Sequence, residues 1–212
     1  MKILLTGSTG YIGKRILPIL VKQGHHVVCC VRDKRRFNPP KSLNSNISII
    51  EIDLLNISSL SKIPKDIDVA YYLVHSMSIS DNYKNLEQQS AVNFRNALIN
   101  NNLKQVIYLS GIINESNLSK HLLSRKTVEE ELKKGKYALT CLRAGIIVGS
   151  GSASFEIMRD LVEKLPVMIA PKWLLTKCQP IGISDVQFFL TKCILNKKTF
   201  NRNFDIGSDD VL

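Results

Sequence analysis

Apolar runs rich in Val, Ile and Leu recur at residues 2–5, 26–31, 47–52, 69–74, 105–109 and 138–142. None of them alternates apolar with polar positions as a half-exposed strand does. Each therefore predicts a strand covered on both faces, as the strands of a parallel sheet are. Segments with apolar residues at three- and four-residue spacing lie between several of them, at 11–23, 81–100 and 119–134, and predict helices. Pro18 falls inside the first of these and should kink it or leave one backbone bond unmade. Strand, helix and strand in succession predict an α/β fold, a doubly wound parallel sheet flanked by helices.

The polar stretch from Asn38 to Asn46, with Pro39 and Pro40, replaces a regular helix by a short or irregular connection between the second and third strands. The pattern changes after Ala144. Gly145, Gly149 and Gly151 surround an apolar stretch, a helix is expected over 153–164, and Pro166, Pro171 and Pro180 punctuate the segment beyond it as a candidate lid. Residues 1–212 read as one domain, with a dinucleotide-sized core over about 1–144 and a small irregular substrate-side part over about 145–212. The chain stops at Gly207-Ser208-Asp209-Asp210-Val211-Leu212, where Ser or Asp is placed to cap a helix that hardly begins, so a domain boundary is expected there, with an additional C-terminal domain or an oligomer as the candidate partner.

Composition narrows the class without changing it. An apolar fraction of 44% with 22% charged residues is that of a globular domain. The N-terminus has no signal-peptide core, and no apolar run approaches the roughly 20 residues that span a bilayer, so a cytoplasmic location without membrane contact is expected. Five cysteines show neither a paired framework nor a metal spacing, and read as reduced, mostly buried small side chains. A net charge of +11 raises nucleic acid as a partner. The basic residues are dispersed, however, and the densest cluster, Arg32 to Arg36, is interrupted by Asp33, which fits a solvated surface that helps hold an anionic cofactor.

The site chemistry begins directly after the first strand, where Gly7, Gly10 and Gly13 open an apolar-periodic helix within Gly7-Ser8-Thr9-Gly10-Tyr11-Ile12-Gly13. Glycines at this spacing let the chain turn off the strand, let backbone N–H groups approach a pyrophosphate, and let the helix pack closely. The helix start adds unpaired N–H groups and a positive dipole end. Strand before and helix after make this a Rossmann-type site for a nicotinamide dinucleotide. At the end of the second strand Arg32 stands where an acidic residue commonly takes the ribose 2′-hydroxyl, so NADP is favoured, with NAD possible if Asp33 turns inward instead. Lys14 and Arg15 add positive charge near the phosphates. Asp53 and Leu54 end the third strand and are placed either to meet the adenine amino group or to cap a turn. Leu73, Val74, His75, Ser76 and Met77 come after the fourth strand beside the adenosine ribose, and Ser110-Gly111 after the fifth toward the nicotinamide.

Together with Cys30-Val31-Arg32-Asp33, Asp68 to Met77, Val106 to Gly111, Leu142 to Gly149, Gln179 to Val186 and Phe204 to Gly207, the glycine motif resembles the atypical short-chain dehydrogenase/reductase superfamily, in its NmrA-like, NAD(P)H-binding branch related to nucleotide-sugar epimerases. The resemblance runs over nearly the whole chain and implies the same fold and cofactor. It also implies a Tyr-x-x-x-Lys pair for proton exchange, and here His121 and Arg125 occupy those two positions. Histidine can serve as a proton donor and Arg125 as a fixed cation for the nicotinamide ribose, or His121 is a surface or capping residue. Ser110 stands at the family's catalytic Ser/Thr position, and the final quoted segments correspond to those that close the substrate side.

Two functional classes remain. One is an NADP-dependent oxidoreductase or epimerase-like enzyme acting on a small carbonyl or sugar-like molecule, with His121, Arg125 and Ser110 nearest the chemistry. The other is a non-catalytic redox sensor that reports the dinucleotide ratio, which the missing Tyr-x-x-x-Lys pair favours.

Overall fold

The computed structural model describes residues 1–75, 83–113, 119–164, 177–209 and 211. Among these described residues nine strands are formed: β1 (Lys2–Leu5), β2 (His26–Val31), β3 (Ile47–Glu51), β4 (Val69–Tyr72), β5 (Gln105–Gly111), β6 (Ala138–Ala144), β7 (Ile147–Val148), β8 (Ile181–Gly182) and β9 (Arg202–Ile206). The helices are α1 (Tyr11–Lys22), α2 (Tyr83–Ala97), α3 (Lys120–Lys133), α4 (Ala153–Lys164) and α5 (Ile183–Lys192). Seven strands make one parallel sheet in the order β3-β2-β1-β4-β5-β6-β9, and β7 pairs with β8 in a separate two-stranded ribbon. The order reverses between β1 and β4, and a doubly wound sheet has its ligand crevice at the carboxyl ends of the strands flanking such a switch.

The continuous apolar runs are explained by two cores, one on each face. Leu4, Val28, Ala70, Tyr72, Val106 and Tyr108 pack toward Phe94, Val128 and Leu132 of α2 and α3. Their strand neighbours Ile3, Leu5, Val27, Cys29, Tyr71 and Ile107 point the other way, against Ile16, Leu17 and Leu20 of α1 and Val186 and Leu190 of α5. Alternation is invisible in the sequence because both faces are dry. Cys29, Cys30, Cys141 and Cys193 are buried in these layers and Cys178 is half-buried, with no disulfide among the described residues.

Side chains lock the frame at both ends of the sheet. Gln105, fully buried, donates to Thr140 Oγ1 at 2.7 Å and to the Cys193 carbonyl at 2.9 Å, and accepts from Leu195 N at 2.7 Å. Glu129 of α3 takes Arg143 of β6 through Nε at 3.1 Å and Nη2 at 2.8 Å, and Asn203 of β9 at 2.8 Å. That network fixes α3 against the sheet.

Several boundaries differ from the sequence reading. The fourth strand ends at Tyr72 rather than residue 74, while the fifth and sixth run on to Gly111 and Ala144. Ser110 is therefore the penultimate strand residue. The connection at 38–46 is irregular as expected, with 3-10 turns over Lys34–Arg36 and Lys41–Asn46. The region after 145 is more regular than expected: α5 and β9 extend the doubly wound sheet by a seventh strand, so Phe204 to Ile206 belong to the sheet and not to a substrate-side closure. Of the candidate lid over 166–180, residues 166–176 lie outside the described residues, as do Ser76, Met77 and the first residues of the helix expected at 81.

Candidate cofactor and active site

Gly7 turns the chain at φ +71, and a Cβ on it would stand 2.5 Å from the Leu73 carbonyl oxygen. Gly13 faces back onto the same turn, with a Cβ position 2.2 Å from Gly7 O. Gly10 precedes α1 with an extended backbone, donating its N–H to Gly7 O at 2.9 Å. No side chain caps α1 and no acidic residue stands in its first turn, so the N–H groups of Tyr11, Ile12 and Gly13 have neither an intrahelical partner nor a protein anion. Thr9 and Gly10 are exposed. The Thr6 hydroxyl carries the β1–β4 ladder one step further, donating to Tyr71 O at 2.9 Å and accepting from Leu73 N at 3.2 Å, which sets Leu73 beside the loop.

Tyr11 and Arg15 do not reach outward as phosphate ligands. The Arg15 guanidinium stacks on the Tyr11 ring at 4.5 Å and donates to the Ser150 carbonyl, while the Tyr11 hydroxyl is buried where a Cβ on Gly149 would stand 2.6 Å away. The pair ties the glycine loop to the 149–151 turn.

On the adenosine side, Arg32 is exposed directly after β2 and makes no ion pair among the described residues. Asp33 is occupied: its carboxylate accepts from Arg35 N at 2.9 Å, Nε at 3.0 Å and Nη2 at 3.0 Å. These bonds hold the Asp33 carboxyl below its usual range. Asp53 caps a turn, its Oδ1 accepting from Leu55 N at 3.0 Å, and the Leu54 side chain is buried in the α2-side core.

On the other side of the loop opens a cavity of about 830 Å³, reaching across the ends of β4, β5 and β6. Ile12, Leu73, Val74, His75, Ser110 and Arg125 line it, together with Gly145, Lys177, Cys178 and Gln179, and no carboxylate stands among the described lining residues. Ser110 is 3% exposed and its Oγ has no hydrogen-bond partner among the described residues. Gly111 lets α3 approach, since a Cβ there would stand 2.8 Å from Leu122 Cδ2 and 3.3 Å from Arg125 Cδ. Arg125 makes no ion pair among the described residues and presents its charge to the cavity. His121 does not join them: it is exposed on the first turn of α3 and is not among the cavity-lining residues. His121 and Arg125 lie four apart on one helical face, but His121 sits a turn nearer the start of α3 and only Arg125 reaches the cavity wall. Sequence reasoning missed Lys177 and Cys178, whose segment carries no periodic signal, and quoted Gln179 only within the segment likened to a substrate-side closure.

Residues 7–155 match the family described as NAD(P)H-binding. The chain belongs to that family. Divinyl chlorophyllide a 8-vinyl-reductase of Cucumis sativus is 23% identical over 97% of this chain and 52% of its own length. Eugenol synthase 2 of Clarkia breweri is 38% identical over 89 residues, 39% of this chain and 29% of that protein. The chain spans about half the length of the divinyl reductases it matches, 52% and 53%. Among solved structures, a nucleoside-diphosphate-sugar epimerase from Staphylococcus aureus superposes with TM-score 0.80 at 18% identity, covering 100% of this chain and 72% of that one. UDP-glucuronic acid 4-epimerase from Bacillus cereus, in complex with UDP-glucuronic acid and NAD, gives 0.78 at 20% identity, covering 100% and 79%. The fold is shared with both.

For a member of the NAD(P)H-binding family, the loop fits its group. A glycine cradle that Cβ atoms would fill, a helix start without a cap, and the orphaned Ser110 hydroxyl beside an uncompensated Arg125 all ask for an anionic, hydrogen-bonding ligand. Within the described residues no cluster of His, Cys, Asp or Glu could hold a metal ion, and no helix is long and apolar enough to cross a membrane.

Proposed function

We propose that the chain binds NADP in preference to NAD and acts as a reductase on a small carbonyl or related unsaturated substrate. The observation that carries this reading is the cavity of about 830 Å³ continuous with the glycine loop, a size that holds a nicotinamide end and a small substrate together. The pyrophosphate lies against the N–H groups of Tyr11, Ile12 and Gly13, and the adenosine end reaches Arg32. Because Asp33 is engaged by Arg35, it is not available to a ribose diol, and Arg32 is left to take a 2′-phosphate with two parallel hydrogen bonds. Bound there, the dinucleotide supplies a hydride. Arg125 holds and neutralises the nicotinamide-ribose end or an acidic substrate group, and Ser110 donates a hydrogen bond to the substrate oxygen. The named activity of the divinyl reductases supports a reductive reaction over an epimerisation.

A second reading, a redox sensor that binds without reacting, is favoured by the displacement of His121 from the cavity. The two are separated by following NADPH absorbance with a panel of quinones, enals and ketones. Substrate-dependent oxidation of NADPH supports the enzyme, and saturable NADPH binding with no oxidation across the panel supports the sensor.

A further inference from the structure

The cavity wall holds a histidine whose proton is already aimed. His75, just past the end of β4, places Nδ1 2.7 Å from Glu87 Oε1. Glu87 lies in the first turns of α2, and its side chain is 7% exposed. Ser124 of α3, fully buried, donates its hydroxyl to the second oxygen, Oε2. A carboxylate this deep is costly unless hydrogen-bonded, and here strand end, α2 and α3 converge on it. Tyr72 and Tyr108 also face Glu87, and burial pushes both phenols above their ordinary range, with the Arg125 charge opposing the rise at Tyr108.

The consequence lies on the ring's far side. A histidine giving Nδ1–H to a buried acceptor is fixed in one tautomer and orientation, leaving Nε2 to whatever occupies the cavity that His75 lines. No other described side chain offers this. Tyr108 is 3% exposed and donates to the Arg125 carbonyl at 3.3 Å, the Tyr11 hydroxyl is buried away from the cavity, and no tyrosine stands among the described lining residues. Arg125 and Lys177 are the other charged groups on the described wall, and neither has an oriented partner there.

We propose that His75 is the proton donor of the reaction, with Glu87 and Ser124 as the residues that position it, so that this histidine takes the part the family pattern gives to a tyrosine. The proposal rests on the reductase reading given above. In the reduction of a carbonyl, carbon receives the hydride with its electron pair from the reduced dinucleotide. The carbonyl oxygen takes the proton from His75 Nε2. One N–H bond breaks, one O–H bond forms, and the imidazole is left neutral, to be recharged from water.

The test reads the ring directly. In protein carrying 15N-labelled histidine, the four imidazoles are separated by their shifts and His75 is assigned by its disappearance in His75→Gln. The wild type, above the titration range, is expected as the Nδ1–H tautomer, with and without NADP⁺, and Glu87→Leu is expected to move it to Nε2–H. The wild-type reading does not depend on Glu87→Leu folding, and a wild-type Nε2–H tautomer overturns the proposal. With NADPH and 9,10-phenanthrenequinone as probe, His75→Gln should lose about a hundredfold or more in kcat while NADPH affinity stays within about twofold. Glu87→Leu should lower kcat and move the alkaline limb of its pH profile, where the donor has lost its proton, to lower pH, a shift that a merely structural contact would not produce. Turnover that survives His75→Gln overturns the donor role alone. A wild type that binds NADPH and oxidises none overturns the reductase reading and the donor role together.

Discussion

Alanine at Gly10 separates what the loop needs in order to fold from what it needs in order to bind. The Gly10 backbone sits at φ −77 and ψ 171, a conformation open to any residue, and the position is exposed. An added Cβ meets only Gly7 O, at 3.2 Å, a contact relieved by a few tenths of an ångström. The expected stability cost is under about 1 kcal/mol, or a fall of at most about 4 °C in Tm for a chain of this size. Gly13→Ala is the opposite case, because its Cβ would stand 2.2 Å from Gly7 O and 2.9 Å from Ser8 Cα, both backbone atoms that cannot rotate away. It should cost about 1–3 kcal/mol. The methyl at Gly10 occupies the face over which the pyrophosphate approaches the uncapped helix start. Losing one charge-assisted bond there removes about 1.5–3 kcal/mol of binding, which is about 10- to 150-fold in Kd. Thermal melting of both variants by circular dichroism, paired with NADPH titration, checks the split. Gly10→Ala that binds NADPH like wild type, or that melts as early as Gly13→Ala, would refute the pyrophosphate geometry.

Arg32→Ala should weaken NADPH by about tenfold to a hundredfold while leaving NADH within about twofold, measured by fluorescence titration; equal losses for the two would remove the 2′-phosphate contact. Under native conditions one thiol, Cys178 on the cavity wall, should react quickly with a chromogenic disulfide, because burial pushes Cys29 up to about 11 and Cys30, Cys141 and Cys193 upward as well. Saturating NADP⁺ should slow that reaction, and a fast signal from Cys178→Ser protein would refute the assignment. Phe94→Ala empties a fully buried site whose ring meets Tyr72 edge-on at 5.0 Å between centroids, and should cost about 3–5 kcal/mol in urea unfolding. Glu131 is held below the usual carboxylate range chiefly by Lys134, with Gln88 and Arg95 adding to it. Its stabilisation is therefore full above the unfolded value near about 4.3 and is lost as pH falls through the lower folded value. The stability gap between wild type and Glu131→Gln should narrow from pH 7 to pH 3, and a constant gap would contradict the assignment.

The strands and the glycine loop were legible because their signals are local: Lys2–Leu5 and His26–Val31 carry their own apolar runs, and Gly7, Gly10 and Gly13 lie within one turn of each other. What was not legible depends on distant partners. β9 was missed because Arg202 to Ile206 is mostly polar, being an edge strand beside β6 alone, so its outer positions remain wet. The candidate pair at His121 and Arg125 was read from family spacing, and although the two share a helical face, only Arg125, one turn further along α3, lines the cavity. His75 was read as a ribose contact. Nothing in its neighbourhood along the chain announces Glu87, which joins it only when α2 folds back across the sheet, or Ser124, which arrives from a different helix. Asp33 likewise could not be assigned to the ribose or to Arg35 until the 3-10 turn at Lys34–Arg36 fixed its direction.

Calorimetric titration of the purified chain with NADPH and with NADH tests the central claim most directly. The account predicts saturable binding of one NADPH per chain, with NADH weaker by about tenfold or more, as expected for one lost guanidinium–phosphate pair. NADH binding as tightly as NADPH would contradict the role given to Arg32, and saturation by neither would contradict the dinucleotide site itself.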